Sequence, residues 1–165
     1  MMDGMKTYDA IPQIEWARLA AYIDGEGCFL IFRCHNKKRP RGYHALKIVI
    51  GNTDFRLMVW LKSSFGGFIN RSTKTEKHKL SKRQMYYWHV GSAMAEDVTR
   101  RCLPYLIMKK EQGELVLQFR ATFKDYHDTT RLIGNIESDR ENFKNQLHEL
   151  KRKSVAEEDI SETVQ

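Results

Sequence analysis

Two stretches of alternating apolar and polar residues, each folding back through a polar turn and each followed by a helical pattern, predict an α+β fold for this 165-residue chain. A helix precedes the first stretch and further helical patterns follow the second. The order is αββαββα: a four-stranded antiparallel sheet with helices on one face, plus C-terminal helices. The length suits one domain with its own core, residues 1–153, ahead of an acidic tail, 154–165, expected to be disordered.

The elements follow in order. Residues 1–10 are a polar lead. Pro12 suits the first turn of a helix over 12–24, whose Ile14, Trp16, Ala17, Leu19, Ala20, Tyr22 and Ile23 are apolar almost all round, so this helix is expected to be buried. Gly25 and Gly27 are expected to stop it by adopting conformations that other residues avoid. Residues 28–33 are strand formers, 36–42 a basic turn, and 43–51 a strand with Ala45, Lys47, Val49 and Gly51 on one face and Leu46, Ile48 and Ile50 on the other. Asn52-Thr53-Asp54 offers an N-cap for a helix over 55–65, which Gly66-Gly67 ends. A second hairpin joins 68–71 to 85–90 through a polar, mostly basic turn at 72–83. Ser92 can cap a helix over 93–102 that ends near Pro104. Helices are expected at 109–123 and 138–153, with residues 126–135 irregular between them. The chain shows no internal repeat.

Charge narrows the function. The net charge is +7, but residues 154–165 hold four acids and no base, so the first 153 residues carry +11. A body that basic calls for an anionic partner, nucleic acid before a membrane surface. No apolar run is long enough to span a bilayer and no signal peptide is visible, so no membrane partner is expected. Cys28, Cys34 and Cys102 lack zinc-site spacing and read as reduced thiols in an intracellular protein. The six histidines form no metal-binding pair on a helical face, and no motif for a small-molecule cofactor stands out.

The bases follow the hairpins. Arg33, Lys37, Lys38, Arg39, Arg41 and Lys47 belong to the first; Arg71, Lys74, Lys82 and Arg83 belong to the second, with Asn70, Ser72 and Gln84 as polar neighbours. These are the candidate DNA-binding residues, expected on one sheet face and its turns, because a two-stranded ribbon fits the major groove of duplex DNA. An ordinary solvated sheet face is the simpler alternative. Tyr86, Tyr87 and Trp88 raise a second class, an RNA-binding module that stacks bases on aromatic rings.

The first helix carries the chemistry. Ala17, Ala21 and Gly25 recur every fourth residue, a row of small side chains along which another backbone could approach closely. Glu26 follows at the helix C-terminus, where the negative end of the dipole disfavours an anion unless a cation sits beside it. Two readings stand at this point: a metal-binding carboxylate, or a solvated glutamate after a glycine-capped helix.

Leu19-Ala20-Ala21-Tyr22-Ile23-Asp24-Gly25-Glu26-Gly27 resembles the LAGLIDADG motif of homing endonucleases, with alanine for the first motif glycine and glutamate for the final acid. The resemblance extends to Ile50, Asn52 and Asp54 after the first hairpin, to Arg56 a turn later, and to Pro104-Tyr105-Leu106 followed by Lys109. It covers residues 12 to about 123 and is closest to the single-motif homodimeric branch. That branch can carry Gln where Asn52 stands, and small and polar residues usually follow its later Gln, where this chain has Gly113-Glu114. The resemblance implies catalysis by Glu26, Lys109, Asn52 and Arg56, with Glu26 and the Gly25 carbonyl holding Mg²⁺ or another divalent cation. It also implies a homodimer joined along Ala17, Ala20, Ala21 and Asp24, cutting both strands of a long pseudo-palindromic site to leave short 3′ overhangs. A non-cleaving relative, acting as an intron RNA maturase or a DNA-binding regulator, is the rival within the same fold.

Overall fold

The computed structural model describes residues 8–36, 39–72, 83–123 and 133–152, of which 36, 39–41 and 133–135 are described by their backbone alone. The expected tail at 154–165 and most of the second basic turn lie outside them. The elements are α1 (Gln13–Glu26), β1 (Gly27–Asn36), β2 (Arg39–Asn52), α2 (Phe55–Phe65), β3 (Phe68–Arg71), β4 (Tyr86–Gly91), α3 (Ser92–Cys102), α4 (Lys110–Ala121) and α5 (Ile133–Arg152). The four strands form one antiparallel sheet in the order β1-β2-β4-β3.

Alternation builds the core. Phe29 and Ile31 of β1, Leu46, Ile48 and Ile50 of β2, and Trp88 and Val90 of β4 all point to one face and are buried. The helices cover that face, with Trp16, Leu19 and Ile23 of α1, Met58, Leu61 and Phe65 of α2, Val98 of α3 and Val116 and Phe119 of α4 closing a single contiguous cluster. Leu147 of α5 completes it. Each such large side chain contributes about 1.5–3 kcal/mol by leaving water.

Several local expectations need correction. α1 is buried on one side only: Ala21 and Gly25 are exposed, and Ile14 is 65% exposed. It also runs through Gly25 and Glu26. Gly27 ends it for a different reason from the one expected. Its φ of −85° is open to any residue, but a Cβ there would stand 2.6 Å from the Ile23 Cα. Glycine is needed for close approach, not for left-handed backbone. Gly66 and Gly67 do take positive φ, 75° and 81°, as a helix stop requires. Ser92 does not cap α3: it lies inside the helix at φ 52°, and Gly91 is the cap. Much of the expected 36–42 turn belongs to the strands, since β2 starts at Arg39. α5 begins five residues before the expected start, carrying Gly134 within it. Glycine costs a helix interior about 1 kcal/mol, and packing through Phe143, Leu147 and Leu150 outweighs that.

Candidate active site and nucleic-acid interface

At the C-terminus of α1 two carboxylates, two residues apart, take opposite directions. Asp24 turns inward and is 8% exposed. Its Oδ2 accepts the Ile107 N–H at 2.8 Å and its Oδ1 the Lys109 N–H at 2.9 Å. Lys109 is the N-cap residue of α4 and makes no side-chain capping bond. Asp24 therefore caps α4 from another helix, supplying the anion that a helix N-terminus favours. The exchange is reciprocal. Lys109 Nζ donates to the Ile23 carbonyl at 2.9 Å and to the Asp24 carbonyl, placing a cation on the negative end of α1. Burial pulls the Lys109 ammonium below the ordinary lysine range, a tendency that Asp24 and Cys28 oppose and Lys151 assists.

Glu26 points outward and is exposed. Its Oε2 accepts the Asn52 Nδ2–H at 2.5 Å. Asn52 Oδ1 in turn accepts the Asp54 N–H at 2.8 Å. Asp54 caps α2 by accepting the Arg56 N–H at 2.9 Å, and the Arg56 guanidinium grips the same carboxylate, its closest approach 2.6 Å. The Arg56 side-chain hydrogen bonds, then its N–H, hold the Asp54 carboxyl down at about 2. A hydrogen-bonded line thus runs from Glu26 through Asn52 and Asp54 to Arg56. Of the four predicted catalytic residues, Glu26 and Asn52 touch. Lys109 is seated on carbonyls of the helix turn that carries Glu26. Arg56, 92% exposed in its side chain, is bonded to Asp54.

Among the described residues no three His, Cys, Asp or Glu side chains converge as a metal cluster. The donors at hand are the exposed Glu26 carboxylate and helix-end carbonyl oxygens, hard ligands of the kind Mg²⁺ takes alongside water and phosphate oxygens.

The residues predicted for dimer contact divide. Ala17 is half-buried and Ala21 exposed, and a Cβ added at the exposed Gly25 would meet nothing within 4 Å. Ala20 is wholly buried, and Asp24 is nearly so. Both face the protein's own interior, because α1 must put one side into the core.

The predicted DNA-binding residues with described side chains divide between the two faces of the sheet. Arg33 shares the parity of Phe29 and Ile31, and its guanidinium lies 3.6 Å from Glu137 of α5. Arg71 shares the parity of Ile69 and pairs with Tyr86, whose ring packs 4.9 Å from Phe55 on α2. Both stand on the helix side of the sheet. Lys47 and the exposed Asn70 stand on the outer face. Gln84 uses its amide to close the neck of the second hairpin, donating to the Ser72 and Met85 carbonyls at 2.9 Å each. Arg83 is exposed. Lys37, Lys38, Lys74 and Lys82, and the side chains of Arg39 and Arg41, lie outside the described residues. Trp88 is fully buried with its N–H on the Gly66 carbonyl at 2.8 Å, so it cannot stack on a base.

Sequence reasoning missed the capping role of Asp24 and the seat of Lys109. One signal was available: an aspartate in the last turn of a helix is disfavoured by the dipole and needs donors from elsewhere.

No protein-family model matches the chain, and no curated protein sequence matches it. Solved structures do. The homing endonuclease I-CvuI, in complex with its target in the presence of Ca, is 17% identical with a TM-score of 0.64, covering 91% of this chain and 92% of that one. The archaeal intron-encoded homing endonuclease I-Vdi141I, complexed with DNA, is 13% identical with a TM-score of 0.66, covering 86% of each chain. The LAGLIDADG homing endonuclease I-GzeII, in complex with a DNA target, is 19% identical with a TM-score of 0.60, covering 82% of this chain and 44% of that one. The fold is that of LAGLIDADG homing endonucleases.

Proposed function

We propose that this chain is a site-specific DNA endonuclease that hydrolyses both strands of a long pseudo-palindromic duplex as a homodimer with a divalent cation, leaving short 3′ overhangs. The observation that carries this reading is the exposed Glu26 carboxylate at the end of α1, oriented by Asn52, with the Lys109 ammonium fixed one turn behind it. The fold supports the choice of reaction class.

Phosphodiester hydrolysis builds negative charge on the phosphorus oxygens and on the leaving 3′ oxygen. Mg²⁺, when bound, would supply charge neutralisation and an activated water. Glu26 is the residue to hold it, with the Gly25 carbonyl beside. Asn52 fixes the Glu26 rotamer and keeps a polar surface for ordered water. Lys109 places a positive charge against the reacting phosphate, where a preorganised donor stabilises charge as it develops. Arg56 lies further out along the same line, in position to meet a flanking phosphate. One carboxylate per chain calls for a second copy. The outward row of Ala17, Ala21 and Gly25 supports pairing of two α1 helices about a two-fold axis, which brings one Glu26 from each subunit together.

The test separates chemistry from binding. Glu26→Gln keeps size and the hydrogen bond from Asn52 but removes the charge. Cleavage should be abolished in Mg²⁺ while a gel shift on the same duplex is unchanged. Lys109→Met should slow cleavage roughly 10²–10³-fold, as loss of one transition-state donor does. Wild-type cutting by Glu26→Gln would remove Glu26 as the catalytic carboxylate and with it this reading. Duplex binding with no cleavage by wild-type protein would favour the DNA-binding regulator, and preference for structured RNA would favour the maturase.

A further inference from the structure

The outer face of the sheet departs from what an antiparallel sheet with one solvated face normally shows. Such a face alternates to polar residues. Here Leu30, Phe32 and Val49 are half-buried, Tyr87 is 38% exposed and Phe68 is 67% exposed, all on the side away from the helices. Lys47 is the one charged side chain among the described residues of that face, and its ammonium lies 5.3 Å from the centre of the Phe32 ring. Of the sheet's arginines, the two with described side chains, Arg33 and Arg71, stand on the other side. An apolar strip of this kind, open to solvent, marks a contact surface.

Its surroundings indicate the occupant. In sequence, Lys37 and Lys38 stand between β1 and β2, Arg39 and Arg41 open β2, and Lys74, Lys77, Lys79, Lys82 and Arg83 stand between β3 and β4, in a body of net charge +11 over residues 1–153. Such bases suit phosphates, which position a protein without specifying sequence. The strip itself needs an apolar feature on a polyanion. In the major groove of duplex DNA that feature is the 5-methyl group of thymine.

The geometry points to a sheet that recognises its target through thymine methyl groups, with Leu30, Phe32, Val49, Tyr87 and Phe68 as the specificity-determining residues. This inference rests on the duplex-DNA reading above and deepens it by naming the base class read at the centre of each half-site.

The test uses the full-length wild-type protein and a randomised duplex library, selected for binding without divalent cation. Bound duplexes are sequenced, and the tightest are resynthesised with deoxyuridine in place of thymidine, which removes the methyl and leaves base pairing intact. Thymine should be enriched at several positions in each half. Affinity should fall roughly fourfold for each contacted methyl that is lost. Phe32→Gln and Val49→Gln should each lose the thymine preference at one or two positions. Equal affinity for the two duplexes, or enrichment of guanine at those positions, overturns the inference and leaves the nuclease reading standing. No enriched duplex at all overturns both. The thymidine and deoxyuridine arms use wild-type protein, so they decide the matter even if a variant fails to fold.

Discussion

The chain ties two elements in place with charged residues, and it does so by opposite means. At the junction of α1 and α4, Asp24 and Lys109 bond to backbone N–H and C=O groups. At α5, the contacts to the sheet run between side chains: His44 Nε2 to Glu141 at 2.8 Å and Arg33 to Glu137 at 3.6 Å. The junction is largely removed from water and aims charge at fixed main-chain positions. The Glu141 side chain is 40% exposed, and exposed ion pairs give little net stability because solvent screens them. α5 is held by Leu147, fully buried, and by Arg140, whose guanidinium lies 3.7 Å over the Phe123 ring and donates to the Thr122 carbonyl at 3.0 Å. Where a charge must be placed accurately the protein bonds it to backbone. Where an element only needs docking, apolar packing does most of it.

The largest effect that would test this contrast is Asp24→Ala. It leaves two backbone N–H groups without their acceptor, and each orphaned donor costs about 1–3 kcal/mol, so urea unfolding should show a loss of roughly 2–6 kcal/mol. Cleavage by the surviving folded protein should fall as well, since the turn that positions Lys109 is released. A loss under about 0.5 kcal/mol would mean the junction is not structural, because that is the range of changes made away from any such feature.

Next in size is Leu147→Ala, which should cost about 2–5 kcal/mol by cavity formation. If α5 docks through packing, its helicity should fall with this change and barely respond to salt. Strong salt dependence of the wild-type unfolding midpoint would instead return the docking to the ion pairs.

The smallest effect is Glu141→Gln, about 0.2–1 kcal/mol near neutral pH. The Lys144 side chain, then His44, holds the Glu141 carboxyl down at about 2. A carboxylate with a depressed folded-state pKa stabilises the fold above its unfolded value, roughly 4.3, and that contribution is lost as pH falls toward about 2. The two proteins should therefore differ in thermal midpoint above roughly pH 5 and converge as pH falls toward about 2. A difference that persists at low pH would show that the substituted amide perturbs packing rather than charge.

Much of the architecture was legible because it is written in local spacing. Two runs of strand formers with Pro-Gly and polar turns, and helices with apolar residues three and four apart, fixed the order of elements, and α2 falls on its expected residues. Glu26 stood out as an acid where the dipole disfavours it, Asn52 entered only through the family resemblance, and the two meet in the structure. The turn at 36–42 was misjudged because Pro and Gly were read as ending strands that continue through them. The end of α1 was misjudged because conformational freedom and lack of a side chain both select glycine, and spacing alone cannot separate them.

The amino-acid order by itself determined which residues share a strand face or a helix row, since those periods are local and set by backbone geometry. Tertiary structure alone decided which face is covered. That choice sent Arg33 and Arg71 to the helix side, left an apolar strip on the outer face, and put Ala20 inside while Ala21 stayed out. It also decided the fate of Asp24, whose partners lie 83 and 85 positions away. A buried carboxylate must find donors wherever the folded chain brings them, and no local pattern records where those donors will be.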